Sequence, residues 1–237
     1  MRMLTNGLIV ICALSLIAAT STRNSASQVK TGATSLDPDK LELRNVKAER
    51  VNYEGRSAVL IKDDSKDTTD DANRFAVVPG IAIRDGTIEA DISGNTAPDA
   101  PPEWRGFVGI AFRVSPDRAR FECLYLRPKN GRSGDQLQRN HSTQYTSMPG
   151  FPWSKLRAEN PGKYESYVDL VAGKWTHIKI HVAGSRAELY VNDSDQPTLI
   201  VNDLKQVSAS GAVALWVGPG TIAHFSDLTV TSAGHEE

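Results

Sequence analysis

Cysteine is scarce in this chain, and its scarcity excludes several classes of site. Of the 237 residues only Cys12 and Cys123 are cysteines, so loss of an N-terminal leader would leave one thiol and no internal disulfide. No Cys/His pair has zinc-site spacing, no glycine-rich loop has a phosphate-binding context, and no G-x-S-x-G motif occurs. Because no Cys–His arrangement is evident, we interpret Cys123 as a buried strand residue rather than a nucleophile.

An excess of charge of one sign is also missing, as is a membrane-spanning run. Lys and Arg number 27 against 28 Asp and Glu, so nothing attracts the whole molecule to nucleic acid, and no nucleic-acid partner is expected. The apolar run Leu8–Ala19 is too short to span a bilayer. Arg2 before it and Ala19-Thr20-Ser21 at its end are typical of a secretory signal. We predict a signal peptide over 1–21, a secreted or periplasmic protein, and no membrane span after cleavage.

The rest of the chain has the pattern of one β-sandwich domain. Residues 22–39 are mostly small and polar and predict a flexible linker, and residues 232–237 predict a short tail. Between them, short segments of alternating apolar and polar residues are separated by turn residues. No long amphipathic helix is visible. The prediction for 40–231 is an all-β sandwich of antiparallel sheets with few or no helices.

The stretch Gly106–Pro128 predicts a β-hairpin that organises this domain. Apolar residues alternate along both arms, and Ser115-Pro116-Asp117 supplies turn chemistry between them. The alternation predicts one buried face and one open face. The open face would carry Arg113, Tyr125 and Arg127 beside the small residues Gly109 and Ala111. A cationic and partly aromatic face of this kind favours a polar ligand.

The stretch 129–164 predicts the longest loop of the domain. Loops of this length are usually functional or disordered, and its aromatic residues argue against disorder. Its candidate ligand-binding residues are Arg139, His141, Tyr145 and Trp153. The alternative is an ordered loop whose aromatic residues anchor it to the sandwich. The Pro-rich segment 95–104 fits the rim of a binding face.

A second charged loop raises the possibility of a calcium site. Five carboxylates occur within nine positions, and oxygen ligands of this type suit calcium. They are Asp63, Asp64, Asp67, Asp70 and Asp71. The spacing is not that of an EF-hand, and the alternative is a solvated acidic loop.

The C-terminal third, GKWTHIKIHVAGSRAELYVND, GAVALWVGPG and AHFSDLTV, resembles a concanavalin A-like lectin/glucanase domain. Laminin G-like domains and the 3-keto-disaccharide hydrolase family are similar in this order of strands. With GTIEADISG and GFVGIAFRV included, the resemblance spans about 40–231. It implies a jelly-roll sandwich whose concave sheet and rim loops bind or cleave glycans. Glu89 and Asp91 also resemble the start of the E-x-D-x-x-E motif of family 16 glycoside hydrolases, but Gly94 replaces the third acid.

Three functions follow from this resemblance. In a carbohydrate-binding protein, Tyr125, Tyr145 and Trp153 would stack on sugar rings. Polar contacts to the sugar would come from Arg113, Arg127, Arg139 and His141. In a glycoside-cleaving enzyme resembling the 3-keto-disaccharide hydrolases, the acid or base would be Glu165, Asp135, Glu122 or His141. The third possibility is an envelope protein that binds another protein.

Overall fold

The computed structural model describes residues 28–30, 34, 36–67, 69, 73–206 and 209–233. Over these ranges, fifteen strands form two antiparallel sheets, accompanied by two short α-helices and two 3₁₀ turns. The predicted all-β jelly-roll sandwich with few helices is therefore confirmed. No helix within the same ranges is long and apolar enough to cross a bilayer. The predicted signal peptide and most of the predicted linker lie outside the described residues.

Sheet I contains eight of the described strands and has the order β13-β12-β11-β6-β15-β4-β3, with β1 paired to β15. Its longest strands, β6 and β15, pair along most of their length at the centre of the sheet. The strands are β1 Gln28–Lys30, β3 Val46–Tyr53, β4 Arg56–Asp63, β6 Gly86–Thr96, β11 Thr176–Ala183, β12 Arg186–Val191, β13 Leu199–Val201 and β15 Thr221–Ala233.

Sheet II contains the other seven described strands, in the order β10-β9-β8-β7-β14-β5-β2. The strands are β2 Glu42–Arg44, β5 Phe75–Ile83, β7 Val108–Val114, β8 Phe121–Leu126, β9 Thr143–Met148, β10 Glu165–Ser166 and β14 Gly211–Val217. Helix α1 spans Gln136–Asn140, helix α2 spans Trp153–Glu159, and the 3₁₀ turns span Pro38–Lys40 and Pro128–Asn130.

The predicted hairpin is present as β7 and β8, with Val108 paired to Leu126 and Phe112 to Glu122. Alternate residues of both strands enter the core between the sheets, as the period of two requires. The opposite face of sheet II is also buried, so the prediction of one open face is wrong. This face carries a second apolar cluster that includes Phe75, Phe121 and Trp216.

The small residue Gly109 accommodates the neighbouring strand rather than a ligand. A Cβ atom at Gly109 would lie 2.3 Å from the Leu124 carbonyl oxygen and 2.5 Å from Tyr125 Cβ. Both distances are far below van der Waals contact, so only glycine lets β8 approach β7 here. Cys123 is wholly buried in the second apolar cluster, and burial raises the pKa of its thiol well above the ordinary value.

The alternation predicted that Arg113 lies on the same face of the hairpin as Tyr125 and Arg127. In the structure it leaves that face. Residues 111–114 of β7 face 212–214 of β14 with a register shift, and Arg113 has φ of 52° within this bulge. Its guanidinium crosses to the β11–β12 turn of sheet I, where it donates to the Gly184 carbonyl at 2.7 Å. It also donates twice to the Arg84 carbonyl, at 2.9 and 2.8 Å. Arg113 therefore holds the two sheets together at one edge.

The stretch 129–164 is more regular than predicted. It contains a 3₁₀ turn, both α-helices and strand β9, which pairs with β8 from Thr143 to Met148. The sequence of β9, TQYTSM, is mainly polar, so its period of two is not marked by apolar residues. Pairing with two neighbouring strands makes it a strand despite this composition.

Candidate functional site

A cleft of about 370 Å³ opens at one end of sheet II. Because neighbouring strands are antiparallel, β7 and β9 begin at this end while β8 and β14 finish there. Aromatic, cationic and amide side chains meet in the cleft. Its lining residues are Glu103, Trp104, Arg105, Phe107, Arg127, Asn130, Gln138, His141, Trp153, Arg157 and Pro219.

Three aromatic rings form walls of the cleft. Trp104 and Phe107 come from the segment that precedes β7, and Trp153 is the first residue of helix α2. A Cβ at Gly220 would lie 2.0 Å from the Trp104 ring, so glycine at the β14–β15 turn makes room for the indole. Arg157 lies one helical turn after Trp153, and its guanidinium carbon is 4.4 Å from that ring centroid.

Arg127 supports the cleft from below. Its side chain is 3% exposed and donates hydrogen bonds to Glu165 at 3.0 Å and to the Gln144 side chain at 3.1 Å. Further donations go to the Tyr125 hydroxyl and to the His141 carbonyl. Its guanidinium carbon also lies 5.1 to 5.3 Å from the rings of Phe107, Tyr125 and Trp153. These contacts identify Arg127 as an anchor that joins the cleft walls to the sheet.

Glu165 connects the cationic groups of the cleft. It accepts hydrogen bonds from Arg127 and Arg157, and its Oε2 lies 3.5 Å from His141 Nε2. Burial alone would raise the pKa of Glu165, but the hydrogen bond from Arg157 and the two guanidinium charges offset it, so the pKa is lowered. Burial lowers the pKa of His141 against the attraction of Glu165. At neutral pH the carboxylate is therefore ionised and the imidazole neutral.

Asn130 is a buried residue in the lining of the cleft. The residue is 4% exposed, and its Nδ2 donates to the His141 carbonyl at 3.0 Å. Its Oδ1 is buried and has no hydrogen-bond partner among the described residues. A buried acceptor without a partner costs free energy, on the order of 1–3 kcal/mol. A ligand that donates a hydrogen bond to this oxygen would remove that cost.

The fold brings several predicted site residues together at this cleft. Arg127, His141 and Trp153 line it, and Glu165 lies against Arg127 and Arg157. The Tyr125 hydroxyl accepts from Arg127. The other predicted residues do not line it; they are Arg113, Glu122, Asp135, Arg139 and Tyr145.

Arg139 and Asp135 have local contacts in helix α1 and beside it. Arg139 donates to the Tyr167 hydroxyl at 2.8 Å, and its guanidinium carbon lies 5.0 Å from the Tyr167 ring. Asp135 caps helix α1 by accepting from the amides of Leu137 and Gln138. The capping role accounts for an acidic residue at this position.

Tyr145 and Glu122 face the sandwich interior rather than the cleft. The Tyr145 hydroxyl donates to Glu122 at 2.6 Å, and both side chains are completely buried. Burial raises the pKa of Glu122, although hydrogen bonds from Tyr145 and the Gln206 amide oppose the shift. Tyr145 lies on the inner face of β9, a strand that the sequence did not predict. Neither group can reach a sugar in the cleft.

The acidic loop has its own internal contacts. Asp63 accepts from the buried Arg74 at 2.9 Å and from the Gly220 amide at 2.7 Å. Asp64 pairs with Lys47, and Asp67 accepts a hydrogen bond from the backbone amide of Thr69. In the part of the chain that the structure describes, no cluster of three potential metal ligands occurs. The predicted ligands Asp70 and Asp71 lie outside that part.

The Glu89/Asp91 pair lies on sheet I, away from the cleft. Asp91 is 2.8 Å from His177 Nδ1 and also pairs with Arg56. Asp91 therefore belongs to a network of charged side chains on the outer face of sheet I.

Sequence reasoning missed Trp104, Arg105, Phe107 and Asn130. The Pro-rich segment was predicted to form a rim, and its last residue is Trp104. Asn130 ends a 3₁₀ turn directly after the hairpin, and no local pattern distinguishes it from an ordinary loop amide. Its significance comes from its burial and its unpaired oxygen.

No protein-family model matches this chain, and no curated protein sequence matches it. Among solved structures it is similar to a protein of unknown function with a galectin-like fold from Bacillus subtilis. That match has 10% identity and a TM-score of 0.52, covering 86% of this chain and 97% of that chain. The similarity shows the fold, which agrees with the concanavalin A-like sandwich that the sequence resembles.

Two further solved structures are similar at lower TM-scores. One is the carbohydrate binding module CBM66 from Bacillus subtilis, at 14% identity and TM-score 0.49, covering 79% of this chain and 95% of that chain. The other is a GlcNAcα1-4Gal-releasing endo-β-galactosidase from Clostridium perfringens, at 9% identity and TM-score 0.45, covering 93% and 67%.

Proposed function

We propose that this protein binds carbohydrate in the cleft at the end of sheet II. The observation that carries the proposal is a cleft in which the rings of Trp104, Phe107 and Trp153 lie beside the Arg157 guanidinium. The apolar C–H face of a sugar ring would pack against Trp153 or Trp104. A hydroxyl of the same sugar would donate to the Oδ1 of Asn130, which has no partner among the described residues.

Arg157 and His141 complete the polar contacts. The Arg157 side chain is 31% exposed, so its guanidinium is accessible from the cleft while Glu165 holds its orientation. A guanidinium donates to hydroxyl or carboxylate oxygens, and the neutral His141 ring both donates and accepts. The cleft therefore offers both donors and acceptors, which suits a polyhydroxylated ring.

We also propose that the protein acts outside the cytoplasm, because residues 1–21 have the pattern of a signal peptide. The resemblance to laminin G-like and 3-keto-disaccharide hydrolase domains supports a role on glycans in that compartment. Export would bring the cleft into contact with free and polymeric carbohydrates.

A glycan array probed with the purified protein tests this function, and calorimetry with each positive glycan gives its affinity. Trp153→Ala and Asn130→Leu should each weaken binding by roughly tenfold or more, since each removes a direct contact. Trp175→Ala is the matched control, because Trp175 directly precedes β11 of sheet I and does not line the cleft. Binding that survives both cleft variants would reject this cleft as the site. No binding to any glycan would reject carbohydrate binding and favour a protein partner.

Glycoside cleavage is the second candidate, favoured by the 3.5 Å approach of His141 to Glu165. A neutral histidine with a carboxylate beside it can accept a proton from a bound substrate. Glu165 orients the ring and is unsuited to act as a general acid, because its pKa is lowered and it stays ionised.

Incubation of each bound glycan with the protein distinguishes the two candidates. Products that disappear in His141→Gln, while binding stays within a few-fold of the wild type, would establish catalysis by this residue. Binding without products from any positive glycan would leave carbohydrate recognition as the function. Products formed equally well by His141→Gln would remove the proposed base.

A further inference from the structure

A second cleft of about 530 Å³ adjoins the first. The side chains of His141 and Arg157 line both, so they form the boundary between the two spaces. The remaining lining residues of the second cleft are Leu137, Asn140, Pro161, Gly162, Glu165, Ser166 and Tyr167. The two clefts therefore lie side by side, with these two residues as their common wall.

The second cleft differs from the first in its chemistry. Leu137 is 65% exposed, the highest value for a large apolar side chain among the described residues, and Tyr167 is 40% exposed. The Asp135 cap accepts from the Leu137 amide at 2.7 Å and fixes the start of helix α1. Arg139 donates to the Tyr167 hydroxyl and packs on its ring. Two exposed apolar groups are thus held at one opening.

We propose that the second cleft binds an apolar aglycone, an aryl or alkyl group attached to the sugar in the first cleft. This inference rests on the proposed function. The sugar would use the Asn130 oxygen and the aromatic walls, and its glycosidic substituent would cross over the shared wall that His141 and Arg157 form. The aglycone would then pack on Leu137 and Tyr167. Binding would bury two apolar groups that otherwise face water.

The size of the second cleft favours such a substituent over a protein partner. Small-molecule sites commonly occupy roughly 300–1,000 Å³, whereas stable protein interfaces need extended surfaces. The shared wall places an occupant of the second cleft next to a sugar in the first, where a glycosidic bond can join them. The sugar and the aglycone are therefore two parts of one glycoside that occupies both clefts.

Paired glycosides test the inference directly. Methyl and 4-nitrophenyl glycosides of glucose, galactose, mannose and N-acetylglucosamine, each as α and β anomers, would be titrated calorimetrically, with 4-nitrophenol alone as a further probe. For the recognised sugar we expect the 4-nitrophenyl form to bind roughly tenfold more tightly than the methyl form. Leu137→Ser should reduce this advantage to about threefold or less while leaving methyl-glycoside binding unchanged.

Leu43→Ser is the matched control, since Leu43 is 44% exposed on β2 at the opposite edge of sheet II. It should retain the full aryl advantage. Equal affinities for the methyl and 4-nitrophenyl forms, or an advantage unchanged in Leu137→Ser, would overturn the aglycone site while leaving sugar binding intact. Binding of 4-nitrophenol as tight as that of its glycosides would also overturn it. Failure of every glycoside to bind would instead reject the proposed function.

Discussion

Replacing Arg127 by Ala should destabilise the fold substantially. The Arg127 side chain is 3% exposed and its buried partner Glu165 is 2% exposed. The substitution removes four hydrogen bonds, to the Tyr125 hydroxyl, the Gln144 side chain, the Glu165 carboxylate and the His141 carbonyl. It also removes the cation that packs against three aromatic rings. Arg157 would remain as a partner of Glu165.

The expected loss of stability is about 3–5 kcal/mol, the usual cost of removing one member of a buried ion pair. For a domain of this size, each kcal/mol lowers Tm by roughly 2–4 °C, so Tm should fall by about 6–20 °C. Arg132→Ala provides the matched control. Arg132 and Asp169 form a bidentate pair in the same region, but their side chains are 65% and 55% exposed. Its loss should cost less than about 1 kcal/mol.

Urea unfolding followed by tryptophan fluorescence, together with calorimetry, measures both variants. A free energy of unfolding for Arg127→Ala within error of that for Arg132→Ala would refute the anchoring role. Arg127 would then be better explained as a ligand-binding residue that folding does not require.

The pH dependence gives this prediction a second readout. The pKa of Glu165 is lowered in the folded protein, so the unfolded chain binds the proton more readily in acid. The stabilisation is present above the unfolded pKa, near 4.5, and is lost as pH falls through the folded value. The stability difference between wild type and Arg127→Ala should therefore shrink below about pH 4. A difference that stays constant into acid would contradict the ion-pair explanation.

Three further variants test other parts of the structure. Gly109→Val should prevent stable pairing of β7 with β8, because even a Cβ would meet the neighbouring backbone at 2.3 Å; a cooperative wild-type-like melting curve would contradict this. His224 stacks on Tyr53 with ring centroids 3.5 Å apart, and burial lowers its pKa from 6.5 to about 4. The unfolded chain binds the proton first, so His224→Phe should gain up to roughly 3 kcal/mol relative to wild type between pH 6.5 and 4. Parallel stability profiles over that range would refute it. Asp63→Ala should cost roughly 3 kcal/mol in urea unfolding, because Arg74 is wholly buried against it, whereas a change below about 0.5 kcal/mol would show that the pair is dispensable.

The local sequence determined the β-sandwich because each strand carries its own alternation. Val108, Ile110 and Phe112 enter the core at every second position, as a half-buried strand requires. The turn chemistry at Ser115-Pro116-Asp117 is sufficient to predict that β7 and β8 pair. Local propensity, period and turn residues agree along this hairpin, and its existence was therefore predictable.

Other elements depended on contacts that no local window contains. The bulge in β7 arises from pairing with β14, and it turns Arg113 toward sheet I. Strand β9 is polar, so its pairing partners rather than its own pattern make it a strand. Tyr145 consequently faces Glu122 in the interior.

The sequence by itself determined the fold class, the central hairpin and the concentration of Arg, His and Trp residues after it. Only the tertiary structure decided which of these residues share a cleft. Trp104, Asn130 and Trp153 meet because antiparallel strands bring three distant chain segments to one end of sheet II. Burial and pairing then give the residues of the cleft different roles. Arg127 is enclosed and anchors the walls. The Asn130 oxygen is enclosed without a partner among the described residues. Burial and pairing depend on long-range packing, so they could not be inferred from residue type or spacing.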